Sequence, residues 1–513
     1  MASDLSNLFP ARFNSFLWIK KISPGAWFSS FYFLALLPWL GKNRLLGLDE
    51  SFYANVAKAE VRDHHWLPLY FLGRPYWEKP PLLHWLHGLS LGLGGPPEAS
   101  LRIWSALAGA WSLYFIYRLA SQLAGGPSGG VACALLLGLQ KHFILYSRLA
   151  TMDMALLCCL LGSWWKISQA LDSPHSQAGH PLLRAGLWLA AGILVKAWFG
   201  LVLLPAAGIV LYYRKPWPFS KRQLFALFFL PGLTALLGWL AAYASLFGKS
   251  FWDWEWNHNV SGRFFSGGWS SPENTRYHLD FYADLTRQGF AYLWPLLPLG
   301  LFSWVRAVWE DSRRKRFDPL KIIGVFFFFY YLFFILWGMA TLINYLLPLS
   351  GAAAVGLGFL FRSQGKNQDH WAAVSAFLLA MLNGLTDNRW ASLIFPLSFA
   401  PCLFPLNHFL PGLKPFWFRA GAVTLMVTAS YGALDYWRHP PDPNHAWVAT
   451  VLAHPARYPG EPLIFVGENT DARALEFYCD YRIQAVDDLP RQRPNEAILF
   501  GHEKEAVFFP ALR

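Results

Sequence analysis

Charged residues are scarce in this chain. Asp, Glu, Lys and Arg make up 14% of its 513 residues, whereas a soluble domain carries about 25%. Apolar residues reach 55%, so we expect most of the surface to face lipid. Apolar runs long enough to cross a bilayer recur from residue 26 to residue 436, and this pattern predicts one large helical membrane domain.

Cysteines are also few, and two other patterns are missing. The five cysteines are scattered, with neither the spacing of a metal site nor that of a disulfide framework. The N-terminal region lacks a short apolar segment followed by a small-residue cleavage site, so we expect the first span to remain as an anchor. No internal repeat is visible, whereas many transporters are built from inverted repeats.

The positive charge of the chain is arranged as a topology signal. The net charge is +12, and basic residues cluster between apolar spans at 214–222 and 313–316. Such clusters mark cytoplasmic loops, so we expect no nucleic-acid partner. The alternation predicts about 13 transmembrane helices, with the long loops 47–98 and 248–289 on the opposite, periplasmic side.

The expected spans include 26–46, 131–146, one that begins near 152, and two short ones over 182–213. Within the first long loop, residues 50–62 have helical spacing, and the double proline at 80–81 is expected to open a second helix.

The composition changes after residue 436. Pro, His, Asp and Arg become frequent, and strand-like runs at 462–466 and 497–500 flank a helical segment. We therefore predict a transmembrane domain over 1–436 and a small α/β domain over 437–513, the latter also periplasmic.

The loop 47–98 is much longer than a connection between two spans needs to be. Asp49 and Glu50 follow the first span, and Glu78 and Lys79 precede a double proline that stiffens the backbone. Aromatic residues suited to sugars or lipid headgroups accompany them: Tyr53, Trp66, Tyr76 and Trp77. This composition indicates a site of chemistry, although an acidic pair can also simply keep a helix end in water.

Further ionisable residues are expected on the same side. His258 and Arg263 lie in the second long loop, in EWNHNVSGRFF. Lys196 separates two short apolar segments that we expect to meet at the outer face. A lysine at that depth is costly unless it reaches water or an anion, which favours a phosphate contact.

Three segments resemble a known family: DESFYANVAKAE, GRPYWEKPPLLHWL and NHNVSGRF. They are similar to the protein O-mannosyltransferase superfamily of integral-membrane GT-C glycosyltransferases, and most similar to the bacterial aminoarabinose transferases that modify lipid A. The resemblance implies an all-α polytopic GT-C fold in the bacterial inner membrane. It also implies transfer of a sugar from a polyprenyl-phosphate donor to an acceptor at the outer face.

The resemblance also implies roles for individual residues. Asp49 matches the catalytic carboxylate, and Lys79 matches a catalytic lysine that binds the donor phosphate. Glu78 and His258 match the ligands of a divalent metal, Zn²⁺ or Mg²⁺. Further donor-phosphate contacts are expected from Arg263, Lys196 and Tyr345. Supporting roles fall to Glu50, Tyr53, Arg148 and Asp153, the last two of which could equally form an ordinary salt-bridged helix end.

The chain departs from the family pattern at several positions. Phe52 stands where the family usually has arginine, and Ala197 replaces the glycine that follows the lysine. Residues 341–344 read Thr-Leu-Ile-Asn instead of Lys-Leu-Pro-Thr. Cations near the phosphate are therefore missing, which leaves the donor sugar and a lipid A acceptor open while the reaction class is unchanged.

Two functions follow from these patterns. The first is an inverting glycosyltransferase, expected to be a monomer, in which Asp49 activates the hydroxyl or phosphate of lipid A, another envelope glycolipid or a protein Ser/Thr. The second is a transporter or flippase of polyprenyl-linked sugars. Transporters place ionisable groups near the bilayer midplane, whereas here they collect at one rim, which favours the enzyme. A binding protein that has lost its base is disfavoured because Asp49 is present.

Overall fold

The computed structural model describes four parts of the chain. They are residues 23–202 except 43, 46, 72, 124–126 and 139; residues 217–261; four positions between 347 and 354; and four strands between 463 and 509. The predicted site residues Arg263 and Tyr345 lie outside the described residues, as do the predicted spans that begin after residue 289, apart from the four positions between 347 and 354.

The part before residue 262 is mainly helical and also holds an antiparallel pair of short strands, β1 (Tyr70–Phe71) and β2 (Arg74–Pro75). Its α-helices are α1 (Pro24–Leu36), α2 (Gly47–Arg62), α3 (Leu82–Gly92), α4 (Pro97–Leu123), α5 (Pro127–Gly138), α6 (Lys141–Tyr146), α7 (Met152–Asp172), α8 (Gly179–Lys196), α9 (Lys221–Leu224) and α10 (Leu230–Trp254). Short 3-10 helices follow α1 and α8, at Leu37–Trp39 and Ala197–Val202. π-helical segments, Phe225–Phe229 and Glu255–Ser261, precede and follow α10.

Local sequence explains where several helices begin. Ser23 caps α1, since its side chain accepts a hydrogen bond from the backbone of Ala26, and Pro24 occupies the first helical position. Ser220 and Gln223 form a reciprocal capping box at the start of α9. Pro81 precedes α3, so the double proline opens that helix as predicted.

Three helical segments of the described part have the length and apolar composition needed to cross a membrane. They are Met152–Asp172, Gly179–Leu201 and Lys221–Asn257. The first begins where a span was expected, near 152, and the second covers the first of the two short spans expected over 182–213, since its α-helix ends at Lys196. The third begins at the predicted basic cluster and continues through α9 and α10.

The helical core is centred on α7. Helices α4 and α8 pack on α7, while α1 and α5 pack on α4 and α10 packs on α8. Buried aromatic side chains fill the contacts, among them Phe28, Tyr32, Phe143 and Trp164. Gly186 permits a close approach between α8 and the segment before α10, because a Cβ there would collide with the backbone of Leu227 and Phe228.

Two expected spans differ in the structure. The predicted span at 131–146 is divided, since α5 ends at Gly138 and α6 begins at Lys141 after an extended Gln140. The Gln140 side chain is buried and donates to the carbonyl of Ser350 at 3.3 Å, a contact between distant parts of the chain. The α-helical part of the first span ends at Leu36, ten residues before the expected end at 46.

The tail contains a four-stranded sheet. Its strands are β3 (Leu463–Val466), β4 (Ile483–Val486), β5 (Ile498–Phe500) and β6 (Val507–Phe509), in the order β4-β3-β5-β6. Strand β3 is parallel to β4 and β5, and β6 is antiparallel to β5. The two predicted strands are confirmed as β3 and β5. The predicted helix between them lies outside the described residues.

Candidate active site

Helix α2 brings Asp49 into the site. The residue lies in the first turn, where a carboxylate is favoured by the helix dipole, and it is half-buried. Tyr53 and Glu60 follow at spacings of four and eleven residues and therefore share one face of α2 with Asp49. This face meets α3, since the ring of Tyr53 lies 5.3 Å from that of His84.

Four charged side chains lie close enough to Asp49 to act on its carboxyl group. Burial raises the pKa of Asp49, and the negative charges of Asp153 and Glu78 also raise it, whereas Lys196 and Lys79 act in the opposite direction. The net result is a raised pKa. The structure therefore brings together five residues that the sequence singled out from three separate segments.

Lys196 and Asp153 form a buried ion pair beside Asp49. Lys196 ends α8 and Asp153 lies in the first turn of α7, so the packing of these helices places both at one end of the bundle. Lys196 Nζ donates to Asp153 Oδ1 at 2.5 Å, and the side chains are 5% and 4% exposed. Asp153 therefore forms a salt bridge at a helix end, which the sequence left open as the alternative to a role in the site. Its partner is itself a predicted phosphate-binding residue.

Glu50 supports the position of α2. Its carboxylate is 1% exposed and receives two hydrogen bonds from Arg102, from Nε and Nη2, each at 2.9 Å. The backbone N–H of Ala150 donates to the same carboxylate at 2.6 Å. The expectation that the acidic pair could be a solvated helix end is therefore wrong for Glu50, because buried carboxylates require such partners.

Arg102 is a site-forming residue that the sequence reasoning missed. It also donates to the carbonyls of Leu40 and Arg44, at 3.0 and 2.7 Å, and so joins the segment before α2 to α4. The sequence does contain a signal for it: Arg102 is a single arginine at the start of an apolar segment, and a charged side chain there is costly unless it is paired. Arg148 lies nearby in the buried turn between α6 and α7 that Ala150 also belongs to.

The loop that carries Glu78 and Lys79 is anchored by Trp77. The indole packs against Phe247, Phe251 and Trp254 near the end of α10, with ring centroids 5.2–6.3 Å apart. Glu78 is exposed and Lys79 is half-buried. The first long loop, 47–98, therefore contacts the start of the second, 248–289, because the last residues of α10 belong to the second loop.

The turn after Lys196 is held by Glu255, the residue that follows α10. Glu255 is 2% exposed and accepts a hydrogen bond from Trp198 Nε1 at 2.7 Å. Ala197 adopts φ +36° and ψ −110°, a backbone conformation that favours glycine. Ala197 stands where the resembled family has glycine, and glycine would adopt this backbone conformation with less strain than alanine.

A second group of buried ionisable residues lies between α2 and α3. The carboxyl oxygens of Glu60 and the ring nitrogens of His84 and His87 have no hydrogen-bond partner of suitable geometry among the described residues. Burial raises the pKa of Glu60 to about 9 and lowers that of His87 to about 3, so both are neutral at pH 7. Gly88 allows this packing, since a Cβ there would collide with the Glu60 carboxyl group. The histidine spacing of three on α3 was the sequence signal.

The structure describes only part of the predicted metal site. Glu78 is placed, but the side chain of His258 lies outside the described residues, although its backbone belongs to Glu255–Ser261. Among the described residues, no group of three or more His, Cys, Asp or Glu side chains has the arrangement of a metal site. The metal thus remains a prediction.

Comparisons with known proteins show what the chain is similar to. The family model described as dolichyl-phosphate-mannose-protein mannosyltransferase matches residues 78–239. Two relatives are each named undecaprenyl phosphate-alpha-4-amino-4-deoxy-L-arabinose arabinosyl transferase. The Pseudomonas aeruginosa protein is 28% identical over 454 residues, 82% of this chain and 75% of its own length. The Edwardsiella ictaluri protein is 26% identical over 384 residues, 68% of this chain and 61% of its own length.

A solved structure extends the likeness to the fold. The structure of ArnT from Cupriavidus metallidurans bound to undecaprenyl phosphate superposes with a TM-score of 0.67 at 17% identity, covering 92% of this chain and 86% of that one. The apo form of the same protein gives 0.66. In sequence and in fold the chain is therefore similar to the GT-C glycosyltransferases. The GT-C fold expected from the motifs is confirmed, whereas the expected number of transmembrane helices extends beyond the described residues.

Lys79, Asp153 and Lys196 lie inside the matched range 78–239, whereas Asp49 lies outside it, closer to the N-terminus. The predicted roles of these residues in catalysis stay predictions. Their convergence on one end of the bundle is a structural fact.

Proposed function

We propose that this GT-C glycosyltransferase moves a sugar from a polyprenyl-phosphate donor to an acceptor at the periplasmic face of the bacterial inner membrane. The observation that carries the proposal is the group around Asp49: a half-buried carboxylate with a raised pKa, flanked by the ammonium groups of Lys79 and Lys196. A displacement at an anomeric carbon needs a base on one side and positive charge on the other.

Asp49 acts as the base in this scheme. An oxygen of the acceptor attacks the anomeric carbon, and its proton passes to a carboxylate oxygen of Asp49. The bond between the anomeric carbon and the phosphate oxygen breaks with inversion, and its electron pair leaves with the polyprenyl phosphate. A raised carboxylate pKa improves a general base, because proton transfer to it becomes more favourable.

Lys79 and Lys196 supply charge for the departing phosphate. Lys79 follows an exposed Glu78 in a loop fixed by Trp77, so its ammonium group can reach a lipid phosphate at the rim. Lys196 is oriented by Asp153 and its positive charge acts at Asp49, where the donor phosphate would depart. Arg263 and Tyr345 complete the proposed phosphate contacts, and Arg148 and Tyr53 support the walls of the site.

A divalent metal remains part of the proposal at Glu78 and His258. A carboxylate and an imidazole from separate loops suit Zn²⁺ with open positions, and the ion would supply positive charge to the donor phosphate when bound. Exposure of Glu78 on the outer loop is compatible with this role.

The names of the relatives guide the choice of substrates. They make undecaprenyl-phosphate aminoarabinose the first donor to test and an envelope glycolipid such as lipid A the first acceptor. We also propose that residues 437–513 form a small periplasmic α/β domain around the sheet β3–β6.

The test uses membranes that contain the full chain and a radiolabelled polyprenyl-phosphate sugar. We expect transfer of label to a glycolipid or protein, and a loss of at least about 100-fold in Asp49→Asn, the scale of general-base catalysis. Asp63→Asn is the matched control, because Asp63 ends the same helix, is exposed and pairs only with neighbouring Arg62 among the described residues. Unchanged transfer in Asp49→Asn contradicts the assigned role. Movement of sugar-lipid across the membrane without a new glycosidic bond supports a flippase.

A further inference from the structure

Three basic residues meet at the end of the bundle opposite Asp49. They are Arg118 of α4, Lys166 of α7 and Arg184 of α8, called here the cation cluster. Lys166 lies thirteen residues after Asp153 on the same helix, a rise of roughly 20 Å along its axis. The charges of Arg118 and Arg184 both act on Lys166, so the three groups are close together.

Trp165 forms the base of the cation cluster. Lys166 Nζ lies 3.5 Å from the centroid of its ring system, and Arg118 Cζ lies 5.0 Å from it. Cation–π contacts of this kind hold basic groups in place without neutralising them. The positive charge of the cluster is therefore concentrated around one indole.

The basic groups of the cation cluster have more hydrogen-bond donors than the neighbouring described residues have acceptors for them. Within the part of the chain that the structure describes, Arg118 donates to Tyr114 Oη at 3.2 Å and Lys166 donates to Gln169 Oε1 at 2.8 Å, and neither pairs with a carboxylate. The indole N–H of Trp165 is buried without a partner there. Arg118 and Lys166 share the ring of Trp165, and the charge of Arg184 acts on Lys166, so an anion would stabilise the three like charges.

The surface beside the cation cluster is apolar and exposed. Trp111 precedes Arg118 by seven residues on α4, and Leu187 follows Arg184 by three residues on α8, so each lies on the face of its basic residue. Their side chains are 52% and 54% exposed. The ring of Trp188 connects the two helices through contacts with Trp111 and Phe115. A ligand for this surface therefore needs an anionic head and an apolar chain.

We propose that the cation cluster binds the phosphate group of an anionic phospholipid, whose acyl chain lies along the exposed face of Trp111 and Leu187. In the predicted topology this end of the bundle faces the cytoplasm. The lipid would then hold α4, α7 and α8 together at the end opposite the candidate active site.

The test uses the full chain, purified in a neutral detergent and stripped of lipid, with retained lipids counted by native mass spectrometry. The probes are phosphatidylglycerol, zwitterionic phosphatidylcholine, undecaprenyl phosphate and inorganic phosphate. We expect preferential retention of phosphatidylglycerol, weakened about tenfold by Arg184→Met or Lys166→Met. Arg184 is exposed, so its replacement leaves the core intact. Arg222→Met, which removes an exposed cation from α9, is the control and should retain the lipid.

Several outcomes would overturn the proposal. Equal weakening by Arg222→Met would indicate a diffuse charge effect, and equal retention of phosphatidylcholine would exclude recognition of negative charge. Displacement of the lipid by inorganic phosphate at equal concentration would show that the apolar surface takes no part. Preferential retention of undecaprenyl phosphate would overturn the assignment to a phospholipid.

Discussion

At the scale of single residues, the properties of Asp49 depend on its neighbours. A lone aspartate at a helix start would be an ordinary solvated carboxylate, but burial and the charge of Asp153 raise its pKa. The Lys196 ammonium is shared between Asp153, which it touches, and Asp49, on which it acts at longer range. The same ion pair therefore orients Lys196 and limits how far its charge lowers the pKa of Asp49.

The substitution Asp153→Asn tests this coupling. It removes a negative charge near Asp49 and releases the Lys196 ammonium, and both changes lower the pKa of Asp49. Because the base must be deprotonated, transfer activity rises with pH through that pKa. We expect the acid limb of kcat/KM against pH to move to lower pH. The profile is measured with the labelled-donor assay.

Asp63→Asn is the control for this profile and should leave the acid limb in place. An acid limb that stays in place in Asp153→Asn, or moves to higher pH, would contradict the role of Asp49 as the titrating base.

At the scale of secondary structure, the contact between α2 and α4 determines where Asp49 lies. Arg102 contacts the first turn of α2 through Glu50 and two carbonyls of the preceding segment. Glu50 in turn contacts the turn before α7 through Ala150. One buried carboxylate thus fixes the helix of Asp49 relative to the helix of Asp153.

Replacement of Arg102 by methionine leaves the Glu50 carboxylate buried without its cation. We expect a loss of about 3–5 kcal/mol in the free energy of unfolding and a fall in activity. The double variant Glu50→Gln with Arg102→Met removes both charges and should recover much of the stability. Unfolding in detergent, followed by circular dichroism, measures both. A double variant no more stable than Arg102→Met would contradict an ionic role for the pair.

At the scale of the whole molecule, the buried residues between α2 and α3 make stability depend on pH. The pKa of Glu60 is about 9 in the folded protein and 4.5 when exposed, so stability falls as pH rises from 4.5 to 9. The pKa of His87 is about 3 instead of 6.5, so stability falls as pH drops from 6.5 to 3. His84 acts in the same direction as His87.

We therefore expect the apparent unfolding temperature to pass through a maximum near pH 6.5. Glu60→Gln should flatten the alkaline side, where each pH unit changes stability by up to about 1.4 kcal/mol. It should steepen the acid side above pH 4.5, because Glu60 opposes the effect of His87 there. His87→Asn should reduce the slope on the acid side instead. Thermal unfolding from pH 4 to pH 9 in one detergent distinguishes them. An unchanged alkaline slope in Glu60→Gln would show that Glu60 is ionised in the folded protein.

The sequence by itself determined the features that depend on local patterns. Scarce charge and long apolar runs predicted a membrane protein, and helical spacing together with the double proline predicted α2 and α3. The end of α8 at Lys196 and the strands β3 and β5 were also found, because periodicity and flanking residues are enough to define them. The GT-C class came from motifs in the same segments.

Tertiary structure alone decided which charges meet. Lys196 pairs with Asp153, 43 residues away in the sequence, and Glu50 pairs with Arg102, 52 residues away. No local pattern encodes these pairs, because they depend on how α4, α7 and α8 pack around one another. The same packing decided that Glu50 is a structural residue while its neighbour Asp49 faces the site, since consecutive residues on a helix point in different directions.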